Sequence, residues 1–178
     1  MQVVIIRHGK VDFQWKKKYD ARGFNDACRE YDIAPVAKMS YDIPRLDYQR
    51  IYVSILPRSR ETAGRIFGEK EFVKSEFVNE VPLCAAFDTD RKLPLWFWNV
   101  AGRMQWLFNR KRQKESRRET VGRAKQFVSL LCAEETDCAV ISHGFYMHVF
   151  LKEMKKAGFQ IQKSHRNYKN GDYVIAKR

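Results

Sequence analysis

The sequence predicts an α/β fold: a three-layer sandwich with a mostly parallel central sheet flanked by helices, plus a small helical cap or insertion. Three observations predict it. Short apolar runs rich in β-branched residues recur along the chain. Segments of helical periodicity alternate with them, and the main runs break abruptly at polar residues, glycine or proline.

Residues 2–6 (QVVII) form the first run, as expected of a strand covered on both faces, and it stops at Arg7-His8-Gly9. The second, residues 50–56, ends at Pro57. A helix follows from about Ser59 to Phe67, with Ala63, Ile66 and Phe67 on one face. A third short strand is expected near residues 72–78. Val121, Ala124, Phe127, Val128 and Leu131 recur at helical spacing within 119–133. Residues 137–142 form another buried strand. It breaks at His143-Gly144 and gives way to a helix carrying Met147, Val149, Phe150, Leu151 and Met154. Asn170-Gly171 is a tight-turn signal, and residues 172–176 make a closing strand. Residues 1–178 read as one domain, without internal repeat or linker. Residues 92–118 differ in kind. They hold three of the four tryptophans and then a dense basic run, and read as an insertion or helical cap over the sheet edge.

Composition narrows the class. Hydrophobic residues make up 44% of the chain, enough for a sizeable core. No stretch of 18 apolar residues occurs, which excludes a spanning helix, and the opening apolar run is far too short for a signal peptide. The chain is expected to be cytoplasmic. Cys28, Cys84, Cys132 and Cys138 are scattered without a CxxC pair and read as free thiols. His143 and His148 are five apart without the glutamate of an HExxH motif, so neither metal nor cofactor is expected. Thirty-four Lys and Arg against 21 Asp and Glu leave a net charge of +13. That field favours phosphate esters, nucleic acid and acidic membranes alike.

The chemistry-bearing residues lie at strand ends. The first run delivers Arg7, His8 and Gly9, the second leads into Arg58, and the fourth delivers Ser142, His143 and Gly144. Ligands of open α/β sheets bind at the carboxyl ends of the strands. Were these strands neighbours, two imidazoles and two guanidiniums would share one pocket. Guanidinium matches phosphate oxygens in shape and charge, and imidazole is a covalent nucleophile that is deprotonated near pH 7 without a metal. Glycine after each histidine is expected to let backbone pass close to a ligand.

These motifs resemble the histidine phosphatase superfamily, the phosphoglycerate-mutase-like family. Arg7-His8-Gly9 corresponds to its RHG, Ser54-x-Leu56-x-Arg58-Ser59-x-x-Thr62-Ala63 to its second block, and Ser142-His143-Gly144 to its late histidine block. The resemblance implies that His8 attacks phosphorus and becomes phosphorylated, while Arg7, Arg58 and His143 hold the phosphoryl oxygens. It also implies an acid that protonates the leaving alkoxide and then activates water. Glu80 stands where that acid is expected, with Asp88 as runner-up and Glu76 third. Lys10 departs from the acidic residue common after the RHG, and residues 12–34 give no residue-by-residue match.

The resulting expectation is a metal-independent phosphomonoesterase acting on a small anionic phosphate ester. Two alternatives stand beside it. A mutase-type phosphoryl transfer would yield an isomer rather than phosphate, and the short chain leaves little room for a mutase's long insertion. A non-catalytic basic module for nucleic acid would bind without turnover, but no stable nucleic-acid complex is expected, since no RNP, KH or zinc-finger pattern is present. The aromatics of 95–108 are read as core-facing residues of a cap helix. Contact of 95–118 with an acidic membrane surface is the second reading of that segment. His148 and His165 fit no block and are read as structural or exposed. The oligomeric state is left open.

Overall fold

A computed structural model describes residues 1–44, 47–163 and 168–178. His165 lies outside the described residues. Six strands form the central sheet: β1 (Gln2–Arg7), β3 (Arg50–Val53), β4 (Val73–Lys74), β6 (Cys138–Ser142), β7 (Gln160–Lys163) and β8 (Tyr173–Lys177). Their order is β4-β3-β6-β1-β8-β7. The pairs β4–β3, β3–β6 and β6–β1 are parallel, and β8 alone runs against its neighbours. The expectation of a mostly parallel sheet holds.

Alternation along the strands divides the core in two, because successive side chains point to opposite faces. Val3, Ile5, Tyr52 and Val140 pack with α4 (Arg117–Glu134) and α5 (Gly144–Lys156). Val4, Ile6, Ile51, Val53, Ala139 and Ile141 pack on the other face with Ala63, Ile66 and Phe67 of α2 (Pro57–Phe67). Both faces of β1 and β6 are therefore dry, which is why their sequences are continuous apolar runs.

Element boundaries follow local chemistry. Helix α2 begins two residues earlier than its periodicity suggested, because Pro57 suits the first helical position. Strand β3 ends at Val53, where the Ser54 amide donates to Ser59 Oγ at 3.1 Å. Ser116 and Glu119 form a capping box that starts α4. Residues 72–78 differ from expectation: only Val73–Lys74 pairs, and Glu76–Val78 turns as a 3₁₀ helix.

Helix α1 (Ala21–Ile33) was not read from the sequence. It starts at Asp20, whose carboxylate accepts from the Gly23 amide at 2.7 Å, and buries Ala21, Phe24 and Ala27. Within 92–118, α3 (Leu95–Leu107) packs Trp98 against Phe24 of α1 and Trp106 against Phe145 at the start of α5. A two-stranded ribbon, β2 (Lys18–Tyr19) with β5 (Leu93–Pro94), ties the base of α3 to the chain before α1.

Candidate active site

Strands β3, β6 and β1 are consecutive neighbours, so their carboxyl ends deliver Arg58, His143 and His8 to one place. The two imidazole centroids lie 5.0 Å apart. Arg58 and both histidines are almost wholly buried.

His8 Nδ1 lies 2.7 Å from the Gly9 carbonyl oxygen. A carbonyl accepts only, so Nδ1 carries the proton and the lone pair is left on Nε2. Burial, then Arg58, lowers the His8 pKa from the usual 6.5 to about 3, and Arg7 acts in the same direction. The ring is neutral at pH 7. His143 is also held well below the ordinary histidine range, by burial first and then by His8 and Arg58. Its Nδ1 accepts from Arg58 Nε at 3.2 Å, so Nε2 carries the proton and donates to Ser54 Oγ at 2.6 Å. The imidazole of His143 thus orients Arg58 as well as flanking His8.

The two glycines make room for neighbouring protein side chains. A Cβ on Gly144 would stand 2.8 Å from Arg7 Cζ, so its absence lets that guanidinium lie across the start of α5. A Cβ on Gly9 would meet Val36 Cγ1 at 2.6 Å and the Tyr41 hydroxyl. The Asn170-Gly171 turn braces the same loop, as Asn170 Nδ2 donates to the His8 carbonyl at 3.0 Å. Arg7 Nη1 donates to the Tyr168 carbonyl, whereas its Nε is buried without a partner among the described residues. An anionic oxygen would satisfy that N–H.

Arg7, Arg58 and Glu80 line a cavity of about 1010 Å³, and neither imidazole is among its lining residues. Glu80 joins it from the loop after the 3₁₀ turn. Its Oε1 accepts from the Tyr146 and Val81 amides, each at 2.9 Å, and its Oε2 from the Phe145 amide at 3.3 Å. The carboxylate caps the positive end of α5, where the His143 side chain makes no capping bond. Glu76 also lines the cavity. Asp88 does not: exposed, it pairs with Arg112, which holds its carboxyl below the usual range.

Several cavity residues went unread. Helix α1 contributes Cys28, Tyr31 and Asp32; the Asp32 carboxylate receives Arg58 Nη1 at 2.9 Å, and Arg58 lies 5.0 Å from the Tyr31 ring centroid. The Asp20 cap and the 21-24-27-31 spacing were the available signal. Cys28 is pushed up to about 12 by burial and by Asp32, so it remains a thiol rather than a nucleophile. Trp15, Leu95 and Asn99 line the walls, as does Arg103, stacked 3.7 Å from the Phe145 ring centroid. His148 is exposed at the same cavity.

Fold and site define an α/β protein that gathers two histidines and two arginines at the carboxyl edge of a parallel sheet. The chain belongs to the histidine phosphatase superfamily (branch 1), whose sequence pattern matches residues 3–176. Among solved structures, the alpha-ribazole phosphatase from Shigella flexneri superposes with a TM-score of 0.60 at 14% identity, covering 98% of this chain and 89% of that one. The mycobacterial glucosyl-3-phosphoglycerate phosphatase gives 0.56 at 16% identity, covering 87% and 79%. The phosphoserine phosphatase of Entamoeba histolytica, in a histidine-to-alanine variant holding phosphoserine, gives 0.51 at 18% identity, covering 98% and 94%. At such identities the likeness is one of fold. No curated protein sequence matches the chain. Among the described residues, no helix is long and apolar enough to cross a membrane.

Proposed function

We propose that the protein hydrolyses phosphate monoesters through a phosphohistidine on His8. The observation that carries this reading is the His8 ring: neutral, tied through Nδ1–H to Gly9, and 5.0 Å from a second imidazole that holds Arg58. The phosphoryl group enters between Arg7 and Arg58, whose forks bind its equatorial oxygens, and satisfies the buried Arg7 Nε. The Nε2 lone pair attacks phosphorus as the bond to the ester oxygen breaks. Glu80, as the general acid, passes a proton to the departing alkoxide. The ring gains positive charge, and the Gly9 carbonyl stabilises it. Glu80, now a carboxylate, takes a proton from water. The water oxygen attacks the phosphohistidine, the N–P bond breaks, and inorganic phosphate leaves with His8 restored.

The substrate's organic part occupies the cavity above this floor. Aromatic Trp15, Tyr31 and Phe145, with Leu83 and Leu95, offer apolar contact, and Asn99 and Arg103 offer donors. A volume of about 1010 Å³ suits an organic group well beyond the phosphate itself.

A panel of phosphate esters, read by phosphate release with and without His8→Ala, tests the function, and rapid quench tests the intermediate. The expected result is an acid-labile, base-stable phosphoryl label on His8 of the wild-type chain. Full turnover by His8→Ala would sink the mechanism, and an isomeric phosphate ester without phosphate release would make the protein a mutase.

A further inference from the structure

Helix α3 is buried on one side only. Trp98 and Trp106 point inward, their indole N–H groups bonded to the Tyr19 carbonyl and Thr120 Oγ1. Leu95, Asn99 and Arg103 line the cavity. The opposite side exposes Trp96 (65%), Val100 (54%), Met104, Leu107 and Phe108 (62%), a continuous stripe at helical spacing. Phe87 extends the stripe beside Phe97. Exposed Arg91 and Lys92 precede the helix, and exposed Arg110 and Lys111 follow it. From Arg91 to Lys114 the sequence contains no aspartate or glutamate.

From this we infer that the outer face of α3 docks on an anionic lipid bilayer, with its aromatic and aliphatic side chains in the headgroup boundary and the flanking cations on acidic lipids. Tryptophan and phenylalanine on one face with basic residues at both ends is the pattern of an interfacial helix. Charge selects this occupant. A second copy would bring the same cations and a net charge of +13 against its like. Nucleic acid would satisfy the cations but leave Val100, Met104 and Leu107 without a partner. Docking places the cavity about one helix diameter, roughly 10 Å, from the headgroups, because Leu95, Asn99 and Arg103 form its wall from the same helix.

The test is co-sedimentation of the full chain with vesicles of phosphatidylcholine alone or mixed with phosphatidylserine, with sedimentation velocity of the free protein alongside. The expected result is binding to the mixed vesicles that weakens with added salt, and little binding to phosphatidylcholine. The double substitution W96S/F108S should lower the partition coefficient at least about tenfold, and R110Q/K111Q should weaken the preference for acidic lipid. Unchanged melting curves show that both variants are folded. Equal binding to both vesicles, no binding, wild-type binding by W96S/F108S, or a self-associated species abolished by W96S/F108S would each overturn the inference.

Discussion

The floor and the roof of the cavity are built in opposite ways. On the floor, Arg7, His8, Arg58 and His143 come from neighbouring strand ends, and the histidines and Arg58 are almost wholly buried, with His8 Nδ1, both ring nitrogens of His143 and Arg58 Nε committed to named partners. On the roof, α3 buries Trp98 and Trp106 but leaves five large apolar side chains open along its other side. A buried polar cluster tolerates little, since each removed partner leaves another group unsatisfied in low dielectric. An exposed face can change freely unless something binds it. In the proposed reading, reaction chemistry belongs to the floor, and substrate fit and the inferred lipid contact to the roof.

Substitutions can break that division, and the largest effect is expected at His8. Its replacement by alanine should lower phosphate release at least about a thousandfold, because it removes the Nε2 lone pair proposed to attack phosphorus. A residual rate within tenfold of wild type would show that the floor is not the reaction centre. Glu80→Gln comes next. It keeps an acceptor for the Tyr146 amide while losing the proton, so kcat should fall about a hundredfold with alkyl phosphates and much less with an aryl phosphate. An equal loss with both leaving groups would assign Glu80 to capping α5 alone.

Gly144→Ala sharpens the comparison at shorter range. The new methyl displaces the end of a flexible arginine rather than backbone, so kcat/KM should fall about tenfold through misplaced Arg7 while the melting temperature barely moves. A collapse in stability with normal kinetics would contradict the assigned role of that glycine.

Acid should destabilise the protein through the floor. In the unfolded chain His8 takes its proton near 6.5, and in the fold only near 3. Between those values the unfolded state binds the extra proton. Stability is therefore full above about pH 6.5 and should decline by about 1.4 kcal/mol per pH unit from this residue as pH falls toward 3. His143, shifted the same way, adds to the slope. Urea unfolding at pH 7 and pH 5 should show a shallower loss for His8→Ala than for wild type, and parallel losses would refute the burial effect. Smallest of all, W96S/F108S should leave turnover of a soluble ester unchanged within twofold, since neither side chain lines the cavity.

Most of the floor was legible in the sequence because its signals are local. Val3–Ile6 and Ala139–Ile141 are apolar on both faces of the sheet, and each run breaks directly into the residues that do chemistry. Helix α1 was missed because small Ala21 and Ala27 with a single Phe24 make its buried stripe, set among charged residues. With it went Tyr31 and Asp32, whose pairing with Arg58 spans 26 positions and leaves no local trace. The aromatic segment was read as core-facing, and the structure divides it between core and exposed surface. Composition alone cannot tell which side of an apolar helix finds a neighbour.

By itself the sequence determined the layered α/β class, the family, and the order in which the strand ends present Arg7, His8, Arg58 and His143. Periodicity and abrupt breaks are properties of a few consecutive residues. Only the tertiary structure decided that Glu80 rather than Asp88 faces the cavity, that Gly144 makes room for Arg7, and that His143 aims Arg58. Those relations join residues as far as 137 positions apart, and the sheet order that brings β3, β6 and β1 side by side is what closes the distance.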